Sequence, residues 1–272
     1  MIHTIRIVRW NAVLFGSLAV SLLLSACGGA NNHAASELTI SAAASLTDAL
    51  GELGHAYERA HPGAKLSFNF GASGALQQQI EQGAPVDLFL SAAAKNMKAL
   101  ADKGLLLEQS DLLRNELVVV VPKPDETDDR QHPAEVADLA DLSNAKIKKI
   151  GIGIPESVPA GGYAKEALTA SGLWDGLQAK LVQGKDVRQV LQYVETANAD
   201  AGFVYQSDAL TSDKSTVAFA VDPALYEPII YPAAIVKATE HAEAARDFYG
   251  YLRSPEAMAV FAKYGFTAAA AE

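Results

Sequence analysis

From Leu38 onward the chain alternates short β-rich runs with stretches of helical periodicity, and this rhythm constrains the fold more than any other feature. Leu38–Ala42 reads as a strand. Leu46–Arg59 carries apolar residues at helical spacing (Leu46, Ala49, Leu50, Leu53, Tyr57), and Lys65–Phe70 alternates as a strand. Leu76–Ile80 reads as helix, Val86–Leu90 as a buried strand, and Lys95–Lys103 as a helix closed by Gly104. A strand that follows a crossover helix returns parallel to the one before it, so this βαβαβα order predicts an α/β fold with mostly parallel sheets flanked by helices. Leu117–Val121 is a continuous apolar run closed by Pro122, the pattern of a central strand. Beyond the polar loop Lys123–His132, strands are expected at Lys149–Ile154, Ala201–Tyr205 and Thr216–Val221. Helices are expected at Ala164–Ser171, Val187–Ala197, Ala242–Leu252 and Pro255–Tyr264. Pro228–Val236 is apolar with two prolines and reads as an extended crossing segment. The tail Thr267–Glu272 carries no pattern and is expected to be disordered. With no Gly/Ser linker in this stretch, the chain is expected to build two lobes, 38–117 plus 228–272 and 118–227. It would pass between them near Leu117–Pro122 and again near Tyr226–Pro232, leaving a cleft at the carboxyl ends of the strands.

The N-terminus is a separate matter. Arg6 and Arg9 precede an apolar run, Trp10–Leu24, with polar residues only at Asn11, Ser17 and Ser21. A charged start, a short apolar run and small residues before a cut site make a secretory signal, here 1–26. The run is short for a membrane span, which needs about 20 residues. It ends at Leu24-Ser25-Ala26-Cys27-Gly28, which resembles the lipobox of bacterial lipoproteins. The resemblance implies cleavage before Cys27, a diacylglycerol on its sulfur and a membrane anchor through that lipid. Cys27 is the only cysteine, so the chain has no internal disulfide. The stretch 27–37 then reads as lipidated residue plus flexible tether.

The chain has 22 basic and 32 acidic residues. Loss of Arg6 and Arg9 with the signal leaves 20 basic against 32 acidic residues, a balance of −12. Such a surface repels nucleic acid and anionic lipid. Any anion site must therefore be built from local dipoles. Four strand-to-helix junctions offer them: Ala43–Asp48 with Ser45, Gly71–Leu76 with Ser73, Val158–Tyr163, and Lys185–Arg188. The first turn of a helix has amide N–H groups without internal partners and carries partial positive charge, so an anion fits there without a lysine or arginine. The competing reading makes Ser45 and Ser73 ordinary helix caps, worth about 1 kcal/mol each.

Five segments taken in order, AAASLTDAL, GASGALQQQIEQGAPVDLFLSA, VPAGGYAKEAL, KDVRQVLQYVE and AGFVYQSDA, resemble the periplasmic molybdate-binding proteins, as does the closing RSPEAMAVFAKYGF. The resemblance runs from about Leu38 to Phe266. It implies the two-lobed class II periplasmic-binding-protein fold with two hinge crossovers, and a tetrahedral oxyanion held only by neutral donors. Ser45 and Ser73 match serines that give hydroxyl and backbone N–H, Ala160 and Val187 match backbone N–H donors, and Tyr205 matches a donating hydroxyl. Around Ser73 some relatives have consecutive serines where this chain has Ala72 and Gly74, which removes auxiliary hydroxyls. The resemblance further implies molybdate or tungstate as ligand, sulfate as the alternative oxyanion, no cofactor, and no cation held by direct protein ligands. It also implies the membrane permease of an ABC transporter as partner and a monomer on the extracytoplasmic side of the membrane.

A site made only of donors suits a fully deprotonated dianion. Hydrogen phosphate brings a proton that needs an acceptor, and leaving it unpaired costs about 1–3 kcal/mol. Asp186 could supply that acceptor unless it caps the helix after it. An enzyme would need a base beside Ser45 or Ser73. The six histidines, His3, His33, His55, His61, His132 and His241, lie in no nucleophile-elbow or metal-ligand spacing, so no catalytic role is expected. A sensor or adhesin could reuse the same lobes, but no segment reads as a signalling domain.

Overall fold

The computed structural model describes residues 36–124 and 136–269. The signal, Cys27 and the tether as far as residue 35 lie outside these residues, as does most of the acidic loop, while Ser36 and Glu37, expected in the tether, begin the first strand. In chain order the elements are β1 (Ser36–Ala43), α1 (Thr47–Ala60), β2 (Ala64–Gly71), α2 (Ser73–Glu81), β3 (Leu88–Leu90), α3 (Ala94–Asp102) and β4 (Leu106–Arg114). Next come β5 (Leu117–Pro122), β6 (Ile150–Gly153), α4 (Pro159–Ala170), α5 (Trp174–Leu177), β7 (Leu181–Gly184), α6 (Val187–Glu195), β8 (Ala201–Tyr205), α7 (Gln206–Ala209) and β9 (Ser215–Ala220). The chain closes with β10 (Ile230–Val236), α8 (Ala242–Tyr251), α9 (Pro255–Lys263) and β11 (Thr267–Ala268).

Two sheets result. One is six-stranded in the order β11-β4-β10-β3-β1-β2, the other five-stranded in the order β7-β6-β8-β5-β9. Each is mixed, which corrects the expectation of mostly parallel sheets. Parallel pairs join strands linked through helices: β1–β2, β1–β3, β6–β7 and β6–β8. The strands that arrive from the other sheet run against their neighbours. Thus β5 pairs antiparallel with β8 and β9, and β10 antiparallel with β3 and β4. No crossover helix within the same sheet aligns them, so the parallel rule does not reach them.

Pro232 shows how β10 tolerates a proline between two neighbours. The pairing with β4 shifts register at Tyr231/Pro232, and the Pro232 carbonyl accepts from Ser91 N–H at 3.0 Å. A bulge places the residue without an amide proton where the ladder needs none. The segment expected only to cross is therefore a full inner strand. The tail also differs from expectation. Thr267 and Ala268 pair with Arg114 and Leu113, and Ala269 N–H donates to the Leu112 carbonyl at 3.0 Å; the last three residues lie outside the described ones.

Helix α4 starts five residues before the expected Ala164. Pro159 stands at its first position, where a missing amide proton costs nothing. The Gly161-Gly162 pair looks like a breaker in the sequence, yet Gly161 is needed for contact: a Cβ there would collide with the backbone of Gly153 at the end of β6. Buried apolar residues from both sheets join one core, with β5 and β8 buried along nearly their whole length. Strands β1, β2 and β3 end where α1, α2 and α3 begin, and β6, β7 and β8 end where α4, α6 and α7 begin.

Ile40 lies at the centre of β1 and is fully buried between β2 and β3. Ile40→Ala is expected to lower stability by about 2–5 kcal/mol, read as a shift of the urea midpoint at unchanged slope.

Candidate ligand-binding site

The helix starts of both sheets meet at a small cavity of about 10 Å³. Its lining includes Ala43, Ala44 and Ser45 after β1, Gly71, Ala72 and Ser73 after β2, and Ala92 after β3. From the second sheet come Val158, Pro159 and Ala160 at the start of α4, Val187 at the start of α6, and Tyr205 at the end of β8. All five residues singled out in the sequence, Ser45, Ser73, Ala160, Val187 and Tyr205, thus lie on one wall or another of this cavity. No lysine, arginine, aspartate or glutamate lines it.

The backbone supplies donors. Ser73 and Val187 are the first residues of α2 and α6, and Ala160 is the second of α4. Ser45 is the middle residue of the 3-10 turn Ala44–Leu46 that leads into α1. Amides in such positions have no partner within their own helix, and these four make no backbone hydrogen bond among the described residues.

Neither serine caps a helix with its side chain. Ser73 Oγ instead accepts from the Ala92 N–H at 2.9 Å, with Ser73 fully buried. That bond occupies a lone pair and leaves the hydroxyl proton to donate. Ser45 Oγ lies 2.9 Å from Tyr231 Oη. Asn115 Nδ2 donates to the same Tyr231 oxygen at 3.3 Å and to Ser207 Oγ at 2.8 Å, while its Oδ1 accepts from Glu116 N–H at 2.9 Å. Asn115 donates to Tyr231 Oη, and between Tyr231 and Ser45 either hydroxyl can be the donor; where the phenol donates, the Ser45 proton is free to point away. Tyr231 and Asn115 were missed in the sequence. Tyr231 sits in an apolar run and Asn115 at the β4–β5 crossing, and neither position carries a local signal.

Tyr205 is 1% exposed, and its hydroxyl makes no well-formed hydrogen bond among the described residues, with the Tyr231 hydroxyl near enough to act on its pKa. Its ring meets Tyr231 edge-on at 5.7 Å between centroids. Burial raises both phenols well above their ordinary pKa, so both stay protonated and can donate. An unpaired buried hydroxyl costs free energy, and Tyr205 shares the cavity lining with the residues whose amides are unpaired. Asp186 does not line the cavity: it caps α6, with Oδ1 accepting from Gln189 N–H at 2.8 Å.

Two groups of the first sheet and the second approach closely beside the cavity. Gly74 N–H donates to the Ser157 carbonyl at 2.9 Å. A Cβ on Gly74 would lie 2.7 Å from that oxygen, so the absence of a side chain here is what permits the contact. Behind Tyr205, Asp208 is completely buried, and its Oδ2 accepts from the Tyr205 N–H at 3.3 Å. Arg188 Nε stands 2.7 Å from Asp208 Oδ1, although neither atom finds a well-aligned hydrogen bond. The contact is one of charge more than of direction. Among the described residues no group of three or more His, Cys, Asp or Glu could hold a metal ion, and no helix is long and apolar enough to cross a membrane.

Burial raises the Asp208 pKa to about 6 in spite of the opposing Arg188 charge. The folded protein therefore binds a proton between the ordinary aspartate range and pH 6 that the unfolded chain has released. The contribution of Asp208 to stability is greatest at low pH, falls as pH rises to about 6, and is constant above. Urea unfolding between pH 4 and 8 is expected to show this slope in the native chain and to lose it in Asp208→Asn.

Comparison with known proteins agrees with the fold. Residues 38–267 match the family model described as bacterial extracellular solute-binding protein. A candidate ABC transporter substrate-binding lipoprotein of Bacillus subtilis, YvgL, is 47% identical over 263 residues, covering 94% of this chain and 98% of that protein. The molybdate-binding protein ModA of Haemophilus influenzae is 38% identical over 250 residues, covering 90% of this chain and 96% of its own length. The solved periplasmic molybdate-binding protein of Azotobacter vinelandii superposes with a TM-score of 0.74 at 26% identity, covering 85% of this chain and 98% of that one. With its two mixed sheets, its convergent helix starts and a family match that spans nearly all the described residues, this chain belongs to the bacterial extracellular solute-binding proteins.

Proposed function

We propose that this protein captures molybdate, and tungstate with it, in the cavity between its two sheets and delivers the anion to the permease of an ABC importer. The observation that carries this reading is the Tyr205 hydroxyl, buried and without a well-formed hydrogen bond, on a cavity whose other polar groups are amides and hydroxyls able to donate. The ligand is taken from the names of the relatives; the chemistry of the lining is consistent with it.

In this reading the binding groups are the hydroxyls and amides of Ser45 and Ser73, the amides of Ala160 and Val187, and the hydroxyl of Tyr205. Residues 38–117 plus 228–272 form one lobe and 118–227 the other. Ser45 and Ser73 hold the anion from the first lobe, and Ala160, Val187 and Tyr205 from the second. An anion that touches both lobes favours the closed state over the open one, and closure needs such differential contact. Helix dipoles supply the positive potential, so the negative net charge of the chain is no obstacle. The closed form is then recognised by the permease. The protein works as a binding protein without catalysis, as a monomer, held outside the cytoplasm by lipid on Cys27 after removal of 1–26.

Calorimetric titration of the chain from Gly28 onward with molybdate, tungstate, sulfate and phosphate tests this directly. Tight one-to-one binding of molybdate and tungstate is expected, with sulfate far weaker and phosphate weaker still. Sulfate in first place would keep the transport role and change the ligand. Tyr205→Phe removes one donor to a buried charge and is expected to weaken molybdate binding about 10- to 100-fold, from the 1.5–3 kcal/mol of such a bond. Unchanged affinity in that variant would take Tyr205 out of the site.

A further inference from the structure

Arg188 is adjacent to Val187 on α6, and its guanidinium meets groups belonging to both sheets. Nε lies against Asp208 in α7, and Nη1 donates to Thr211 Oγ1 at 3.2 Å. Nη2 crosses to the first sheet: it donates to Asp48 Oδ2 at 2.6 Å, at the start of α1, and reaches the Ser45 carbonyl at 3.5 Å. Two of these contacts, and the chain itself, lead to the cavity lining. Asp208 accepts the Tyr205 amide, Ser45 is touched at its own carbonyl, and Val187 is the residue before Arg188.

We propose that Arg188 is a positioning residue for the bound anion, an ionic latch between the lobes that draws Asp48 and Ser45 against Val187 and Tyr205 before the anion arrives. The inference rests on the oxyanion reading above. The latch has an anchored side and a free side. Asp208 is fully buried and Arg188 side chain only 25% exposed, whereas Asp48 is 41% exposed at the edge of an open groove. An exposed ion pair contributes little when both side chains must be ordered for it. Here the guanidinium is already fixed by Asp208 and Thr211, and its planar fork presents a second edge to Asp48 at small further entropic cost. The charges also fix the direction of the effect. One arginine between two carboxylates leaves an excess of negative charge, so the cluster does not attract a dianion. Its influence runs through closure: a larger fraction of closed protein in the absence of anion lowers the apparent dissociation constant in proportion.

The two influences of Asp48 are therefore opposite in sign. If Asp48 matters through its charge alone, Asp48→Asn relieves repulsion and tightens molybdate binding. If it holds the latch, Asp48→Asn loosens binding. The test uses the mature chain carrying Cys27→Ser, with and without Asp48→Asn, followed by small-angle X-ray scattering and by titration with molybdate. Asp48→Asn is expected to enlarge the radius of gyration of the anion-free protein and leave that of the molybdate-saturated protein unchanged. Its molybdate affinity is expected to fall by about 3- to 10-fold, as the closed fraction falls. Asp48→Glu should restore both. High salt should widen the anion-free native chain toward the variant. Identical anion-free scattering of the two chains, or tighter binding by Asp48→Asn, would overturn the latch. Failure of the native chain to bind molybdate would count against the ligand instead, and the anion-free scattering would still decide the latch.

Discussion

The structure depends on helix starts from two sheets being brought to one point. A chain with a net charge of −10 cannot collect an anion by its overall field. A helix end carries its own partial positive charge, in a place set by the fold alone. The βα order puts each such end at the carboxyl edge of a strand, and the two sheets turn these edges toward each other around one small cavity. The glycines serve this approach. Gly161 lets α4 start against the end of β6, and Gly74 lets α2 meet the loop before α4. The same close approach explains why no serine follows Ser73: any side chain at position 74 would have to displace the Ser157 carbonyl.

A second layer turns the hydroxyls into donors. A serine oxygen can donate or accept, and the protein decides which by occupying the accepting side first. Ala92 does so for Ser73 through a backbone amide. Asn115 bears on Ser45 at one remove, by donating to the Tyr231 oxygen that Ser45 meets. Asn115 is itself oriented by the Glu116 amide and lies where the chain crosses from β4 to β5. The crossing that separates the two sheets thus also carries a group that joins the hydrogen-bond network of the Ser45 hydroxyl.

Much of this was legible in the sequence, and the division has a physical reason. The strands and helices of each βα unit follow from local periodicity, and Ala201–Tyr205 is a strand over the expected residues. The family resemblance carried the five residues of the candidate site, and the cavity gathers all of them. What escaped depends on distant partners. The antiparallel direction of β5 and β10 comes from the sheet each strand joins after a crossing. The two-residue strand β11 exists only because the edge of β4 is there to receive it. The serines at helix starts invite a capping role, which is the local default. Ala92 and Tyr231, brought near by tertiary structure, claim their oxygens instead. Arg188 looks like one more solvated charge on a helix until Asp208 and Asp48, on different elements, are seen on either side of it.

The arrangement of carboxylates bears on which anions can be accommodated. A protonated oxyanion needs an acceptor, and the acidic groups nearest the cavity are all engaged elsewhere. Asp186 accepts from the first turn of α6, Asp208 faces Arg188 and the Tyr205 amide, and Asp48 faces Arg188. Each therefore supports a donor-bearing element and stays off the lining. The hydroxyls of Ser45, Ser73 and Tyr205 keep free lone pairs, and each could accept from a protonated anion only by turning its own proton away from that anion. A hydroxyl that accepts in this way no longer donates to the anion, so each proton the anion brings forfeits one donor of the cavity. Under the proposed oxyanion function, a fully deprotonated anion keeps every donor and a protonated one does not, with cavity size left to distinguish one deprotonated anion from another.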